Sequence, residues 1–256
     1  MAITKVTSSV IANDAISTNQ IADDAITTVK IPDNTVTLAK VAHGTQGGTI
    51  YYGASGAPTE LAAGTVGQSL ITAGAGANPS WSIPVGSWVL LQTISATAAE
   101  HNLTAFDNSL YDEYRVVVRR MWSDTSARIL WLRTSTDGGS TYDSGAGDYS
   151  YVAQGYNTAG GTSSINSLSA AQIVFPEYLG DAETEVSFGV VSIYTPGTAK
   201  RARLQHHWSG IRYDGNGYDY TGFGLRLADA DVDAVKFLLS GSGSITAEIA
   251  LYGLRK

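Results

Sequence analysis

Apolar residues recur at every fifth position along the first part of the chain. Branched aliphatic side chains stand without a break at Val6, Ile11, Ile16, Ile21, Ile26, Ile31, Val36 and Val41. This spacing fits neither regular element, because an α-helix would wind these side chains around its cylinder and a straight strand would send them to alternate faces. The chain must therefore change direction inside every unit. Turns are expected at the Asn/Asp pairs 13–14, 23–24 and 33–34, and single helical turns after the Ser/Thr pairs 17–18 and 27–28.

One such unit is too small to bury its own isoleucines. Units from several chains can bury them around a common axis, as in other repeat arrays. We therefore predict that the eight aliphatic residues line an axis shared between chains. The alternative is a disordered tail, which is usually poor in isoleucine and has no reason to keep an apolar register.

A glycine-rich segment follows the repeats. Glycines at nine positions between 44 and 76 separate two short apolar stretches, 49–52 and 69–72, which we predict to be strands. Two short strands with so few core residues are marginal on their own. Winding several chains together would close their exposed edges.

From residue 87 the pattern changes to strands that alternate with period two or run apolar throughout. We predict strands over 88–94, 113–122, 129–134, 149–155, 172–175, 186–194, 201–210, 220–227, 234–240 and 244–251. No window keeps the 3.6-residue period of a helix. Many short strands joined by Gly-rich turns predict an all-β domain, a β-sandwich of jelly-roll type.

Composition supports a division near Gly86. The first fifty of the 256 residues contain no Phe, Trp or Tyr, whereas twelve of the fourteen tyrosines follow Gly86. Aromatic side chains dominate core energetics, so the first part is an extended assembly element and the second is the globular domain. We predict a repeat stalk and docking segment at 1–43, an intertwined β connector at 44–85 and a β-sandwich head at 86–256.

Charge and cysteine content exclude several classes of function. The chain has no cysteine, which excludes disulfide frameworks and thiolate sites, and its net charge of −7 disfavours nucleic-acid binding. Its apolar runs are too short to insert into a membrane. The N-terminus lacks the apolar core of a signal peptide, so we expect synthesis in a cytoplasm.

Several segments resemble proteins of tailed-bacteriophage fibres and spikes. The unit IADDAITTVK at 21–30 is similar to short repeats of fibre shafts. The stretches GTQGGTIYYGASGAPTEL at 44–61 and GTVGQSLITAGAGANPSW at 64–81 resemble the segments that follow them, the second ending in Pro-x-Trp. The segments 132–145 and 249–254 resemble a β-sandwich found at the C-termini of such proteins. The resemblance implies a homotrimer.

The expected function is therefore that of a trimeric virion fibre. Its N-terminal end would dock on phage tail or capsid proteins, and its head would meet a glycan or protein receptor on the host surface. Synthesis would take place in the host cytoplasm, and the final location would be the virion surface. A capsid-attached head fibre, structural or weakly adhesive, is one alternative, and a polysaccharide-degrading spike is another.

Motifs for catalysis or metal binding are missing from the sequence. It has no G-x-S-x-G, no phosphate-binding P-loop and no H-E-x-x-H, so we expect neither an enzyme nor a cofactor. The neighbouring His206 and His207 would point to opposite faces of a strand, and no His-x-His is present to hold a metal on a shaft axis. The acidic residues 229, 231 and 233 lack the glycine and glutamate of a Ca²⁺ loop. We predict no metal site.

One loop combines aromatic and polar side chains in a way that suits a sugar. Aromatic faces stack on the C–H surfaces of sugars while Asn and Asp bind the hydroxyls, and loops on rigid β scaffolds often carry binding sites. The predicted glycan-binding residues are Tyr213, Asp214, Asn216, Tyr218, Asp219 and Tyr220. The tyrosine-rich stretch 148–156 is a second candidate. The alternative is that these side chains serve packing or trimer contacts.

Overall fold

The computed structural model describes residues 21, 22, 25–27, 30, 31, 44–54, 56–194 and 200–256. These residues form sixteen β-strands and no α-helix, so the protein is all-β. The chain divides into two compact units, one of Met1–Val66 with Leu70–Trp81 and one of Gly67–Ser69 with Ser82–Lys256. No stretch of the described chain forms an apolar helix long enough to cross a lipid bilayer.

The predicted stalk repeat is described only around Ile21, Ile26 and Ile31. Their side chains are 43%, 53% and 42% exposed. The amide of Ala25 donates to the carbonyl of Ala22 (3.0 Å), and the amide of Lys30 donates to that of Thr27 (2.8 Å). The other predicted axis residues, Val6, Ile11, Ile16, Val36 and Val41, lie outside the described residues.

The connector contains two small sheets. β1 (Thr49–Tyr52) pairs with β2 (Pro58–Leu61) antiparallel, and β3 (Ser69–Ile71) pairs with β4 (Ser80–Ser82). The indole N–H of Trp81 donates to the carbonyl of Ala62 (2.8 Å). A Cβ at Gly64 would lie 2.7 Å from the Trp81 ring, so only glycine allows this approach. Trp81 of the Pro-x-Trp motif therefore packs against Gly64 and binds Ala62, so it connects β4 to the residues that precede β3.

The head consists of two antiparallel sheets. One contains eight strands and the other four. The strands are β5 (Trp88–Ala98), β6 (Glu100–Leu103), β7 (Tyr111–Ser123), β8 (Ile129–Ser135), β9 (Tyr149–Asn157), β10 (Thr162–Ala170), β11 (Ile173–Tyr178), β12 (Ser187–Tyr194), β13 (Arg203–Ile211), β14 (Gly217–Arg226), β15 (Ala234–Leu239) and β16 (Ile245–Arg255). The eight-stranded sheet has the order β10-β9-β14-β13-β12-β7-β16-β5, and the smaller sheet has the order β11-β8-β15-β6.

One hydrophobic core lies between these sheets. Phe175 of the smaller sheet contacts Trp208 of the larger sheet, with ring centroids 5.0 Å apart, and Phe237 completes the cluster at 6.1 Å from Phe175. The core also contains the inward residues of β7, β12 and β16, such as Val116 and Leu251. The head is therefore sandwich-like, and the central strands of the large sheet turn every second side chain toward this core.

All ten strands predicted from residue 87 onward are present, but two more occur between them. The prediction missed β6 and β10, whose sequences are largely polar. It also began the strand after the Gly-rich turn at Tyr220, whereas β14 begins at Gly217. That difference changes the environment of the tyrosines proposed to bind a sugar.

His206 is an ionisable group inside the core. It is 3% exposed, its Nδ1 has no hydrogen-bond partner, and its ring lies 4.6 Å from that of Phe175. Burial, together with the neighbouring His207, lowers the pKa of His206 to about 4. The ring is therefore neutral in the folded head at neutral pH.

We predict that His206 makes the head sensitive to acid. Because the pKa of His206 is lower in the folded protein than in the unfolded chain, the unfolded chain binds the proton first as the pH falls below the ordinary histidine value. The free energy of unfolding should then fall by about 2 kcal/mol from about pH 7 to about pH 5 on account of this group alone. Urea denaturation across this range would measure the loss.

The variant His206→Leu should lack this part of the pH dependence, whereas His207→Gln, which changes an exposed ring, should keep most of it, because burial is the larger cause of the lowered pKa. Identical pH profiles for His206→Leu and the unmodified protein would contradict the assignment.

Candidate binding surface

Two of the six predicted sugar-binding residues lie in the core. Tyr218 is 6% exposed and Tyr220 is 1% exposed. The hydroxyl of Tyr218 shares a hydrogen bond with that of Ser187 (2.6 Å), and the hydroxyl of Tyr220 donates to Glu177 (2.6 Å). Burial raises the pKa of Tyr218 to about 12. The prediction that these two tyrosines are exposed to a ligand is wrong, because β14 already includes them and its alternation turns them inward.

Three other predicted residues belong to the turn between β13 and β14. The guanidinium of Arg212 forms ion pairs with Glu177 (3.1 Å) and Asp214 (2.8 Å). Asp214 also accepts a bond from the amide of Asn216 (3.2 Å), and Tyr213 meets Tyr178 edge-on at 5.7 Å. These contacts give Asp214, Asn216 and Tyr213 a part in holding the turn. The structure does not gather the six residues into one exposed group.

The sixth predicted residue, Asp219, lies on the opposite side of β14 and belongs to a broad exposed surface. Strand register places side chains of β9, β14, β13 and β12 in rows across the outer side of the large sheet. We call this surface the open face. Its three rows are Tyr156–Asp219–Ser209–Phe188, Gln154–Thr221–His207–Val190 and Val152–Phe223–Gln205–Ser192.

Large aromatic side chains stand out on the open face. Tyr156 is 70% exposed, Phe188 is 50% exposed and Phe223 is 41% exposed. They lie on three different strands: Tyr156 and Phe188 stand at the two ends of the first row, with Asp219 and Ser209 between them, and Phe223 lies in the third row. A mixture of aromatic and polar side chains is typical of binding surfaces.

Two shallow hollows lie on the open face. The first, of about 490 Å³, is lined by Tyr156, Phe188 and Ile211 and by the backbone of Gly210 and Gly217. The second, of about 540 Å³, is lined mainly by Val152, Gln154, Gln205, Thr221 and Phe223. Both volumes fall within the range of small-ligand sites.

The charged group on the open face is the carboxylate of Asp219. Its Oδ1 accepts a hydrogen bond from the hydroxyl of Ser209 and lies 2.7 Å from Nε2 of His207. The bond from Ser209, together with that from His207, holds the pKa of Asp219 below its ordinary value. The carboxylate stands between the serine and the histidine, whereas in a hydrolytic triad the histidine stands in the middle. This trio is suited to fixing an ionised carboxylate on the surface.

Metal-ligating residues do not cluster in the part of the chain that the structure describes, where no group of three or more His, Asp or Glu side chains could hold an ion. Asp229, one of the three acidic residues with alternate spacing, forms an ion pair with Arg201 at 3.5 Å. The amide of Asp233 donates to the carbonyl of Ser135. These contacts connect the segment to its neighbours.

Sequence reasoning missed most of the open face. The alternation within each strand could have placed residues 152, 154 and 156 on one side, and likewise 205, 207 and 209. The neighbours across strands come from positions up to about seventy residues apart, and no local pattern encodes that register. The sequence therefore shows these residues as alternating positions within single strands, and it does not show that they form one surface.

The chain matches no protein-family model, no curated protein and no solved structure in the comparisons with known proteins.

We predict opposite effects for two tyrosine substitutions. Tyr218→Ala should lower the free energy of unfolding by about 3–5 kcal/mol, because it empties a core position and leaves Ser187 unpaired. Tyr156→Ala should change it by less than about 0.5 kcal/mol, because the side chain is mostly exposed. Urea denaturation of both variants would measure the difference. Equal stability of the two variants would contradict the burial of Tyr218.

Proposed function

We propose that the chain forms a trimeric surface fibre of a tailed bacteriophage or phage-like particle, with a jelly-roll-like head on a repeat-built stalk. The observation that carries this proposal is the exposure of Ile21, Ile26 and Ile31 at five-residue spacing. A buried isoleucine contributes about 1.5–3 kcal/mol, and a single chain obtains only about half of this at these positions. Three chains around one axis would bury the whole row.

Exposed apolar side chains in the connector support the same assembly. Ile50 and Tyr52 of β1, Leu70 of β3 and Val66 are all exposed. The two sheets of the connector have only two strands each, so every strand has a free edge. Pairing between three chains would cover both the side chains and the edges.

The head would carry the host-facing surface of this fibre. Its open face combines the exposed rings of Tyr156, Phe188 and Phe223 with polar groups, and it belongs to a rigid sheet. Adhesion through a weak site becomes strong when three copies act together, because the second and third contacts form at high effective concentration. The N-terminal end would dock on tail or capsid proteins.

Electron microscopy of particles labelled with an antibody against the head would test the location. Label at the tail supports the attachment role, and label on the capsid would assign the chain to a head fibre. Particles without label would contradict the proposal in both forms.

We predict that the double substitution Ile21→Asp with Ile26→Asp disrupts the trimer. Charges forced into an apolar axis lack partners, and their burial should cost several kcal/mol per trimer. Sedimentation equilibrium should show the unmodified chain as a trimer and the variant as a smaller species. Thr27→Asp is the matched control, because it adds a charge to the same segment outside the apolar row and should leave the trimer intact. A folded monomer of the unmodified chain would contradict the account.

A further inference from the structure

We propose that the hollow between Tyr156 and Phe188 binds a quaternary ammonium group, such as the cationic end of choline. The inference goes beyond the fibre assignment, since it names the chemical class of a ligand that the head would take. It rests on the proposed function only in treating the host as the source of that ligand. Three features of the hollow support it: its two aromatic rings, the polar groups that are already in use at its surface, and its single carboxylate.

The two aromatic rings stand on opposite sides of the hollow. Tyr156 of β9 and Phe188 of β12 end one row, so that three strand spacings, or about 14 Å, separate their backbones. The row positions between them hold only the short side chains of Asp219 and Ser209. A cation is attracted to an aromatic face within about 6 Å of the ring centroid. Two rings can therefore share one cation at up to about 12 Å, which an inward lean of about 1 Å by each side chain achieves.

The polar side chains that line the hollow already have partners within the head. Oδ1 of Asn157 accepts two backbone amide bonds from its own turn, and the hydroxyl of Thr158 accepts one from the amide of Gly217 (2.9 Å). The hydroxyl of Ser209 donates to Asp219. A primary ammonium carries three N–H donors, which need acceptors, whereas a quaternary ammonium carries none. The lining therefore favours the quaternary cation.

The charge of the hollow comes from Asp219, the one charged residue among the described residues that line it. Its bond from Ser209 and its bond with His207 both use Oδ1, and they hold the pKa of Asp219 below its ordinary value. The carboxylate is therefore ionised at neutral pH. A negative charge beside two aromatic faces attracts a cation and repels an anion. An uncharged ligand of the same shape would lack this attraction.

The second hollow of the open face lacks the same combination. It is lined by one aromatic ring, that of Phe223, and by the uncharged side chains of Gln154, Gln205 and Thr221. A cation would find neither a second ring nor a carboxylate there. The proposed selectivity therefore belongs to the first hollow, and Phe223 offers a matched control on the same face.

Titration calorimetry of the full chain with small cations would test the inference. Tetramethylammonium and choline should bind. The uncharged analogue of choline, in which a tert-butyl group replaces trimethylammonium, should bind at least about tenfold more weakly, and so should n-butylammonium, a primary ammonium. No binding of choline at millimolar concentration, or equal affinity for choline and its uncharged analogue, would overturn the inference. Equal affinity for n-butylammonium would assign the hollow to a lysine side chain of a protein, and would also overturn it.

Vesicles of phosphatidylcholine identify the source of the cation. A chain that binds choline in solution and also sediments with these vesicles takes a lipid headgroup. Binding of choline without sedimentation indicates a soluble or polymer-borne cation. Either result keeps the quaternary ammonium as the ligand.

Variants place the ligand in the first hollow. Tyr156→Ala and Phe188→Ala should each weaken choline binding about three- to tenfold, and Tyr156→Phe should retain it. Asp219→Asn keeps the shape and removes the charge, and it should weaken binding about fivefold. Phe223→Ala is the control and should leave the affinity unchanged. An equal loss for Phe223→Ala, or no loss for both Tyr156→Ala and Phe188→Ala, would overturn the assignment.

The oligomeric state of the same samples separates this inference from the fibre function. A trimer that binds no choline leaves the fibre proposal standing and removes the inference. A monomer that binds choline through Tyr156 and Phe188 contradicts the fibre and keeps the inference.

Discussion

Contact between the two sheets of the head is the interaction on which the rest of the structure depends. Phe175 of the four-stranded sheet inserts against Trp208 and His206 of the eight-stranded sheet. This contact removes one side of the large sheet from water, and the period of two then sends every other residue to the opposite side. Because the smaller sheet covers only one side of the large sheet, Tyr218 and Tyr220 are buried on that side. Tyr156 and Asp219 are exposed on the other side.

Exposed apolar residues occur at two places in the chain, and their surroundings differ. Ile21, Ile26 and Ile31 are exposed aliphatic side chains at five-residue spacing in a segment that contains no aromatic residue. On the open face, aromatic rings alternate with amides, hydroxyls and a fixed carboxylate. The first pattern suits self-assembly and the second suits a ligand. Assembly and adhesion would thus reside in separate compact units of the chain.

Much of the fold could be predicted because alternation is a local property. Val116 and Val118, for example, share the buried face of β7, while Arg115, Val117 and Arg119 occupy the other face, and this alternation marks the strand from sequence alone. A strand made mostly of polar residues lacks this alternation of apolar and polar positions. β10 contains five serines or threonines among its nine residues, and the prediction missed it. The position of Tyr218 was predicted wrongly because Gly215, Asn216 and Gly217 resemble a continuing loop. Only the register with β13 and β9 shows that the strand has already begun.

The candidate surface was harder to predict from the sequence than the fold was. Aromatic residues in a Gly-rich stretch are as typical of a core strand as of a binding loop. What separates the two is the side of the sheet that each residue occupies, and that depends on which face the second sheet covers. Trp208 and Phe223 are both aromatic strand residues, yet one lies in the core and the other on the open face.

The assignment of faces in the large sheet is the central claim, and tyrosine nitration tests it most directly. The folded full chain would be treated with tetranitromethane at neutral pH, and the modified peptides would be identified by mass spectrometry. The account predicts that Tyr156 is nitrated in the folded protein, whereas Tyr218 and Tyr220 react only after unfolding, since both are buried and burial raises their pKa values to about 12. Nitration of Tyr218 or Tyr220 as fast as that of Tyr156 would contradict it.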